Sequence, residues 1–179
     1  ASQLQVLDLS DNLIGQKEEV NEFNPEFQTG GEAIGAMLAA TSTLTVLDLS
    51  WNSIRGTSAK ALASAVRTNA TLTLLNLSHN RLDEDGGVAV SDALEANTSL
   101  TEVRMAHCFI GAKGSIVLSQ ALTERATPLT VVDFAGNVPG KVGAAALLRA
   151  VRSLRGATPP KLIARDSART YAVSDATDP

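Results

Sequence analysis

Leu44-Thr-Val-Leu-Asp-Leu-Ser-Trp-Asn-Ser-Ile54 and Leu72-Thr-Leu-Leu-Asn-Leu-Ser-His-Asn-Arg-Leu82 are two versions of one eleven-residue line, 28 residues apart. Both are apolar at the first, fourth, sixth and eleventh places and carry Asn at the ninth. Working outward, segments starting at Leu4, Leu100 and Leu129 repeat the line, which makes five copies with offsets of 40, 28, 28 and 29 residues. The fourth place holds Leu7, Leu47, Leu75, Val103 and Val132, and the sixth holds Leu9, Leu49, Leu77, Met105 and Phe134. Apolar residues two apart over so short a run predict a brief half-buried strand. The ninth place holds Asn12, Asn52, Asn80, Cys108 and Asn137. As the chain leaves a strand its backbone groups lose their ladder partners, and a carboxamide, which donates and accepts, can satisfy them. A thiol does this less well, so the turn at Cys108 is expected to be the weakest.

Behind each turn the apolar residues fall four apart: Ile34 and Leu38, Leu62 and Val66, Val90 and Leu94, Leu118 and Leu122, Leu147 and Val151. Such pairs share one helix face. A glycine is expected to precede four of these helices, at Gly30, Gly86, Gly114 and Gly143, with Ser58 in that place in the other. One strand–helix unit cannot cover its own apolar surface, whereas stacked units build a parallel sheet on one side and a helical layer on the other. Helices are wider than strands, so the stack bends with the sheet inside. The expected fold is therefore an α/β curved solenoid, with the parallel sheet on its concave side and the helices on its convex side.

The runs LxxLxLxxNxI at Leu44–Ile54 and LxxLxLxxNxL at Leu72–Leu82 resemble the ribonuclease-inhibitor class of leucine-rich repeats, and the likeness extends over residues 4 to about 155. Ran GTPase-activating protein, NOD-like receptor and ciliary leucine-rich-repeat domains resemble the same class. The resemblance implies a protein-binding scaffold or a structural subunit of a larger intracellular assembly. It also leaves open a regulator of a small GTPase and the sensor module of an innate immune receptor. Three departures stand out: Pro139 at an eleventh place, Cys108 at a ninth, and residues 16–29 inserted into the first unit. The expected organisation is a repeat domain over residues 1–155 and a terminal strand or cap with an extended tail over 156–179, the strand at Lys161–Ala164. The first strand starts abruptly, which suggests a piece of a longer chain or an end covered by a partner.

Composition sets further bounds. The 179 residues are 44% hydrophobic, yet only six are aromatic, so the core must be built from Leu, Val, Ile and Ala. No apolar run reaches membrane-spanning length and residues 1–5 lack the blocks of a signal peptide, so no membrane partner is expected. The single cysteine favours a reducing, cytoplasmic setting, cytoskeletal or ciliary ones included. Sequons at Asn69 and Asn97 lie 28 residues apart at equivalent places, as a repeated turn requires. A net charge of −4 with no basic stripe on the sheet face argues against nucleic acid. The serines Ser10, Ser50 and Ser78 are a repeat position and not a nucleophile set, and Gly111-Ala112-Lys113-Gly114-Ser115 lacks phosphate-loop spacing. Neither an enzyme nor a cofactor site is expected.

Candidate partner-binding residues fall in three places. On the concave face the third position carries Val6, Val46, Leu74, Glu102 and Val131; the fifth carries Asp8, Asp48, Asn76, Arg104 and Asp133; the eighth carries Asp11, Trp51, His79, His107 and Gly136. Of these, Asp48, Trp51, Asn76, His79, Arg104 and His107 are the expected contacts, with Trp51, the sole tryptophan, as the anchor. His79 and His107 on adjacent strands are two ligands without a third, too few for a metal. The apolar third positions are read equally as a binding stripe and as side chains packing on one another across strands. The insertion carries Phe23 and Phe27 among four glutamates and is expected to dock a partner or to cap the first repeat. Arg149, Arg152 and Arg155 recur every three residues on the last helix, in a stretch, residues 141–169, with seven bases and one acid. That end is expected to meet an acidic or cytoskeletal surface such as a microtubule.

Overall fold

The computed structural model describes residues 3–16, 28–154, 161–166 and 169–172. Each copy of the line opens with a three-residue strand: β1 (Val6–Asp8), β2 (Val46–Asp48), β3 (Leu74–Asn76), β4 (Glu102–Arg104) and β5 (Val131–Asp133). The helices between and after them are α1 (Gly30–Ala40), α2 (Gly56–Thr68), α3 (Asp83–Ala96), α4 (Ala112–Glu124) and α5 (Gly140–Ser153). Two more strands follow, β6 (Lys161–Asp166) and β7 (Arg169–Ala172). All seven form one sheet in chain order, parallel from β1 to β6, with β7 antiparallel on β6. The parallel part is an α/β leucine-rich-repeat solenoid. Its register never slips: Val6, Val46, Leu74, Glu102 and Val131 pair in sequence, so every place in the line becomes a column across the sheet. Strands repeat at about 4.8 Å while packed helices need about 8–10 Å, so the sheet must take the inside of the bend.

The columns divide by chemistry. Leu47, Leu75, Val103 and Val132 at the fourth place, and Leu49, Leu77, Met105 and Phe134 at the sixth, are buried against the helix residues Leu62, Val90, Leu94, Leu118 and Leu147. Burying each of these larger side chains contributes roughly 1.5–3 kcal/mol. At the ninth place an asparagine ladder ties each turn to its neighbours. Asn80 Nδ2 donates to the carbonyls of Leu49 and Leu77 at 2.8 and 2.9 Å, and its Oδ1 accepts from the amides of Asn52 and Ile54 at 3.1 and 2.8 Å. Asn137 repeats the pattern two units on, donating to Met105 and Phe134 and accepting from Cys108 and Ile110. Cys108 is buried in the same place, and its Sγ donates to the Leu77 carbonyl at 3.1 Å.

Two further ladders were not foreseen from the sequence. Where helices return to strands, Asn97 donates to the carbonyls of Val66 and Asn69 and accepts from the amides of Ser99 and Leu100. Asn69 does the equivalent one repeat earlier, and Arg125 takes over one repeat later, its Nη2 donating to Asn97 and Leu100. The sequon asparagines are therefore repeat turns, and Asn97 is 1% exposed. At the second place Thr45, Thr73, Thr101 and Thr130 each donate a hydroxyl to the carbonyl of the second-place residue of the preceding repeat.

The helix-entry glycines differ from expectation in position and in purpose. Gly30, Gly86, Gly114 and Gly143 lie inside the first turns of the helices and not before them. Gly86 and Gly143 let neighbouring helices touch, since a Cβ there would come within 3.1 Å of Ala59 Cβ and 2.7 Å of Ser115 Cβ, whereas at Gly30 and Gly114 it would collide with the loop residues Ile14 and Ile110. Two of the helix starts, those of α1 and α4, are capped, each in its own way. Thr29 and Glu32 form a reciprocal capping box on α1. Helix α4 has no cap of its own, and Glu84 of α3 accepts from its Gly114 amide at 2.9 Å.

Candidate functional site

The concave face is built from the third, fifth and eighth columns. The eighth residue follows the strand at the point where the chain must swing toward the helical layer. The backbone there is left-handed in every repeat: φ is 54° at Asp11, 59° at Trp51, 58° at His79, 54° at His107 and 67° at Gly136. Only glycine adopts this region freely, so four of the five repeats hold a strained residue at this place. The amides of Asp11, Trp51, His79 and His107 each donate to the carbonyl of the seventh residue of the next repeat, at 2.7–3.0 Å, which keeps the positions in step.

The consequence is a stack. The Trp51 and His79 rings lie 3.9 Å apart at 8°, and the His79 and His107 rings 4.7 Å apart at 15°. Gly136 closes the far end: a Cβ there would come within 2.2 Å of His107 Nδ1, so the imidazole rests on bare backbone. Trp51 is 57% exposed although one of its faces is covered. Desolvation in the stack, followed by the neighbouring His107, holds the His79 pKa below its ordinary value against the opposing pull of Asp133.

Fifth-place residues have a structural task that the sequence did not disclose. Asp8, Asp48, Asn76 and Asp133 each use Oδ1 to accept the amide two residues on, which closes the strand exit. Asp48 Oδ2 also accepts from Asn76 Nδ2 at 2.8 Å, and Asn76 is buried. Arg104 has no such role and pairs with Glu102 at 2.5 Å on the same face. At the third place Val46, Leu74 and Val131 are half-buried against their neighbours and Val6 is exposed.

The expected contacts thus separate. Trp51, His79 and His107 come together in one stack, Asp48 and Asn76 stand beside it joined to each other, and Arg104 lies on the next strand in an ion pair. Arg149 and Arg152 are exposed on α5, away from the sheet face. Phe23, Phe27 and Arg155 lie outside the described residues. Asp11 and Gly136, the two ends of the stacked column, were readable only as members of the eighth place. The signal that marks them is the run of three ring-bearing residues between them in consecutive repeats. Among the described residues no group of three or more His, Cys, Asp or Glu side chains could hold a metal, and no helix is long and apolar enough to cross a membrane.

A family model for the leucine-rich repeat matches residues 41–63, 68–91 and 96–119, which are the second, third and fourth units of the stack. No curated protein matches the chain. Solved structures do. The actin-binding site 2 domain of leiomodin-1 superposes with a TM-score of 0.54 at 23% identity, covering 83% of each chain. The tropomodulin C-terminal domain of Caenorhabditis elegans gives 0.58 at 14% identity, covering 85% of this chain and 87% of the other. At these identities the likeness is one of fold.

Proposed function

We propose that this leucine-rich-repeat solenoid is a non-catalytic protein-binding scaffold that docks its partner on the concave face, with Trp51 as the anchor. One observation carries the reading: the sole tryptophan is 57% exposed, on a left-handed backbone, with its ring stacked on that of His79. A large apolar ring kept rigid in water gives up little rotamer freedom on binding, which is what an interface hot spot needs. The solenoid would serve as a subunit of a larger intracellular assembly. Arg149 and Arg152, exposed on α5, would offer a separate contact to an acidic surface.

The test is affinity capture by the intact chain, with bound proteins identified by mass spectrometry, against Trp51→Ala. Truncation should cost on the order of 2 kcal/mol in affinity. A partner retained undiminished by Trp51→Ala would place the interface elsewhere. The fold shared with the actin-binding domain of leiomodin-1 favours a second reading, a cytoskeletal partner. Cosedimentation with filamentous actin separates it, because a chain that stays in the supernatant at micromolar actin is not an actin binder.

A further inference from the structure

We propose that the open face of Trp51, with Asp11 beneath it and Asp8 and Asp48 beside it, seats an arginine side chain from a basic segment of the partner. The inference rests on concave-face docking and specifies its chemistry.

The stack is closed at one end and open at the other. His107 ends on the backbone of Gly136, whereas the member of the column beyond Trp51, on the side away from His79, is Asp11. Asp11 has the same left-handed backbone as the ring-bearing residues, and its side chain sets out in the same direction. It is much shorter than an indole, so it lies under the inner part of the place that a ring on the first repeat would fill. Among the described residues nothing is seen to fill the outer part of that place, which has the exposed Trp51 on one side and the exposed Asp11 carboxylate at its base. A group that fits there must be flat, to stack on the indole, and cationic with donors at its edge, to meet Asp11.

Charge on the face points the same way. The described concave columns hold Asp8, Asp11, Asp48, Glu102 and Asp133 against Arg104, which Glu102 already engages, and Lys161, on β6 at the opposite side of the sheet from β1. Among the described residues no basic side chain pairs with Asp8, Asp11 or Asp48. Hydrogen bonds from the Ser10 side chain and amide keep the Asp8 carboxyl below its usual range, so it is charged at neutral pH. Asp48 has both oxygens committed to Ser50 and Asn76, so it adds field and no direct contact. A guanidinium satisfies both demands, stacking on the ring while its edge meets the carboxylate. An ammonium satisfies only the second, because it is compact and tightly hydrated. A neutral ring would desolvate Asp11 without replacing its lost water, and an anion would be repelled.

Because Trp51 is the sole tryptophan, its fluorescence reports this site alone. The probe is a blocked octapeptide of alternating Gly and Arg, compared with its Gly-Lys and Gly-Glu counterparts at low ionic strength. The Arg peptide is expected to shift Trp51 emission and to bind roughly fivefold tighter than the Lys peptide, the size of an exposed guanidinium–indole stack. Asp11→Asn should weaken the Arg peptide by a similar factor while leaving the melting curve in place. Equal affinity for Arg and Lys peptides, emission that does not move, or indifference to Asp11→Asn would each overturn the proposal.

Competition separates this inference from the docking reading beneath it. If Trp51→Ala loses the captured partner but the Arg peptide does not displace it from the unaltered chain, docking stands and the arginine assignment falls. If Trp51→Ala keeps the partner while the Arg peptide still binds the unaltered chain at Trp51, the docking reading falls and the chemistry of the site is supported.

Discussion

Replacing Cys108 by Asn should stabilise the protein, and the ladder on either side of it sets the size of the effect. Asn80 and Asn137 each make four amide hydrogen bonds, two given and two received. Cys108 has one S–H proton, aimed at the carbonyl of Leu77 at 3.1 Å, with that of Ala106 farther off at 3.5 Å. For the amides of His79 and Asn80 it offers only sulfur, a weak acceptor. By the repeat, an asparagine at 108 would donate to Leu77 and Met105 and accept from the amides of Asn80 and Leu82. Each such bond is worth about 0.5–1.5 kcal/mol net, and the lost burial of the thiol offsets about one of them. The expected gain is about 2 kcal/mol, or roughly 4–8 °C in Tm for a chain of this size. Urea unfolding followed by Trp51 fluorescence and by far-ultraviolet circular dichroism measures it, provided the slope with denaturant is unchanged. Cys108→Ala, which removes the donor and leaves a small void, should instead cost about 1–2 kcal/mol. A midpoint for Cys108→Asn at or below that of the unaltered chain would refute the reasoning, since it would mean that the pocket is shaped for sulfur and the turn lacks nothing.

Three other outcomes follow from the same geometry. The Cys108 thiol, its pKa pushed up to about 12 mainly by burial, should react with a disulfide reagent at pH 8 no faster than the repeat opens, and at once in denaturant. Gly136→Ala combines a left-handed φ with a collision against His107, so it should lower stability by roughly 1–3 kcal/mol and shift Trp51 emission through the stack. His79 has a folded pKa below its unfolded value of 6.5, so the unfolded chain takes up this proton first. The contribution of the neutral ring is complete above pH 6.5 and is lost as pH falls toward and through the folded value, so the urea midpoint should drop between pH 7.5 and 5.5, less so in His79→Gln.

The parts of the fold that were legible are those in which one column has one chemistry. Leu47, Leu75, Val103 and Val132 are interchangeable as buried apolar residues, and their recurrence alone locates the strands from β2 to β5. The ninth-place asparagines were equally plain, because a carboxamide in an apolar line has few other reasons to be there. What stayed hidden was the work that side chains do on the backbone, within a turn and between repeats. The accepting role of Asp8, Asp48 and Asp133 shows only in the distance from carboxylate to the amide two residues on. The replacement of Asn69 and Asn97 by Arg125 hides the second ladder, since a guanidinium in a buried asparagine column reads as a break and not a continuation. Glu84 capping a helix other than its own leaves no local pattern at all.

The eighth column lies between these cases, and it shows how a structural necessity comes to carry exposed rings. Every repeat must turn out of the sheet through a left-handed residue, and glycine would serve that turn at the least cost, as Gly136 does. Placing Trp51, His79 and His107 there costs backbone strain on the order of 1 kcal/mol each. A buried core gains nothing from them, because all three rings stand on the concave face, partly in water. Stacking recovers part of the strain for a ring that has neighbours on both sides, as His79 has. Trp51 and His107 each have a ring on one side only, but His107 also rests on the backbone of Gly136, so Trp51 is the least covered of the three. His79→Ala should therefore loosen Trp51 more than it unfolds the chain: the emission of Trp51 should shift to the red and its anisotropy fall, with Tm lowered by no more than a few degrees. An unchanged Trp51 spectrum in His79→Ala would show that the indole is oriented by its own turn and that the imidazole is a passenger.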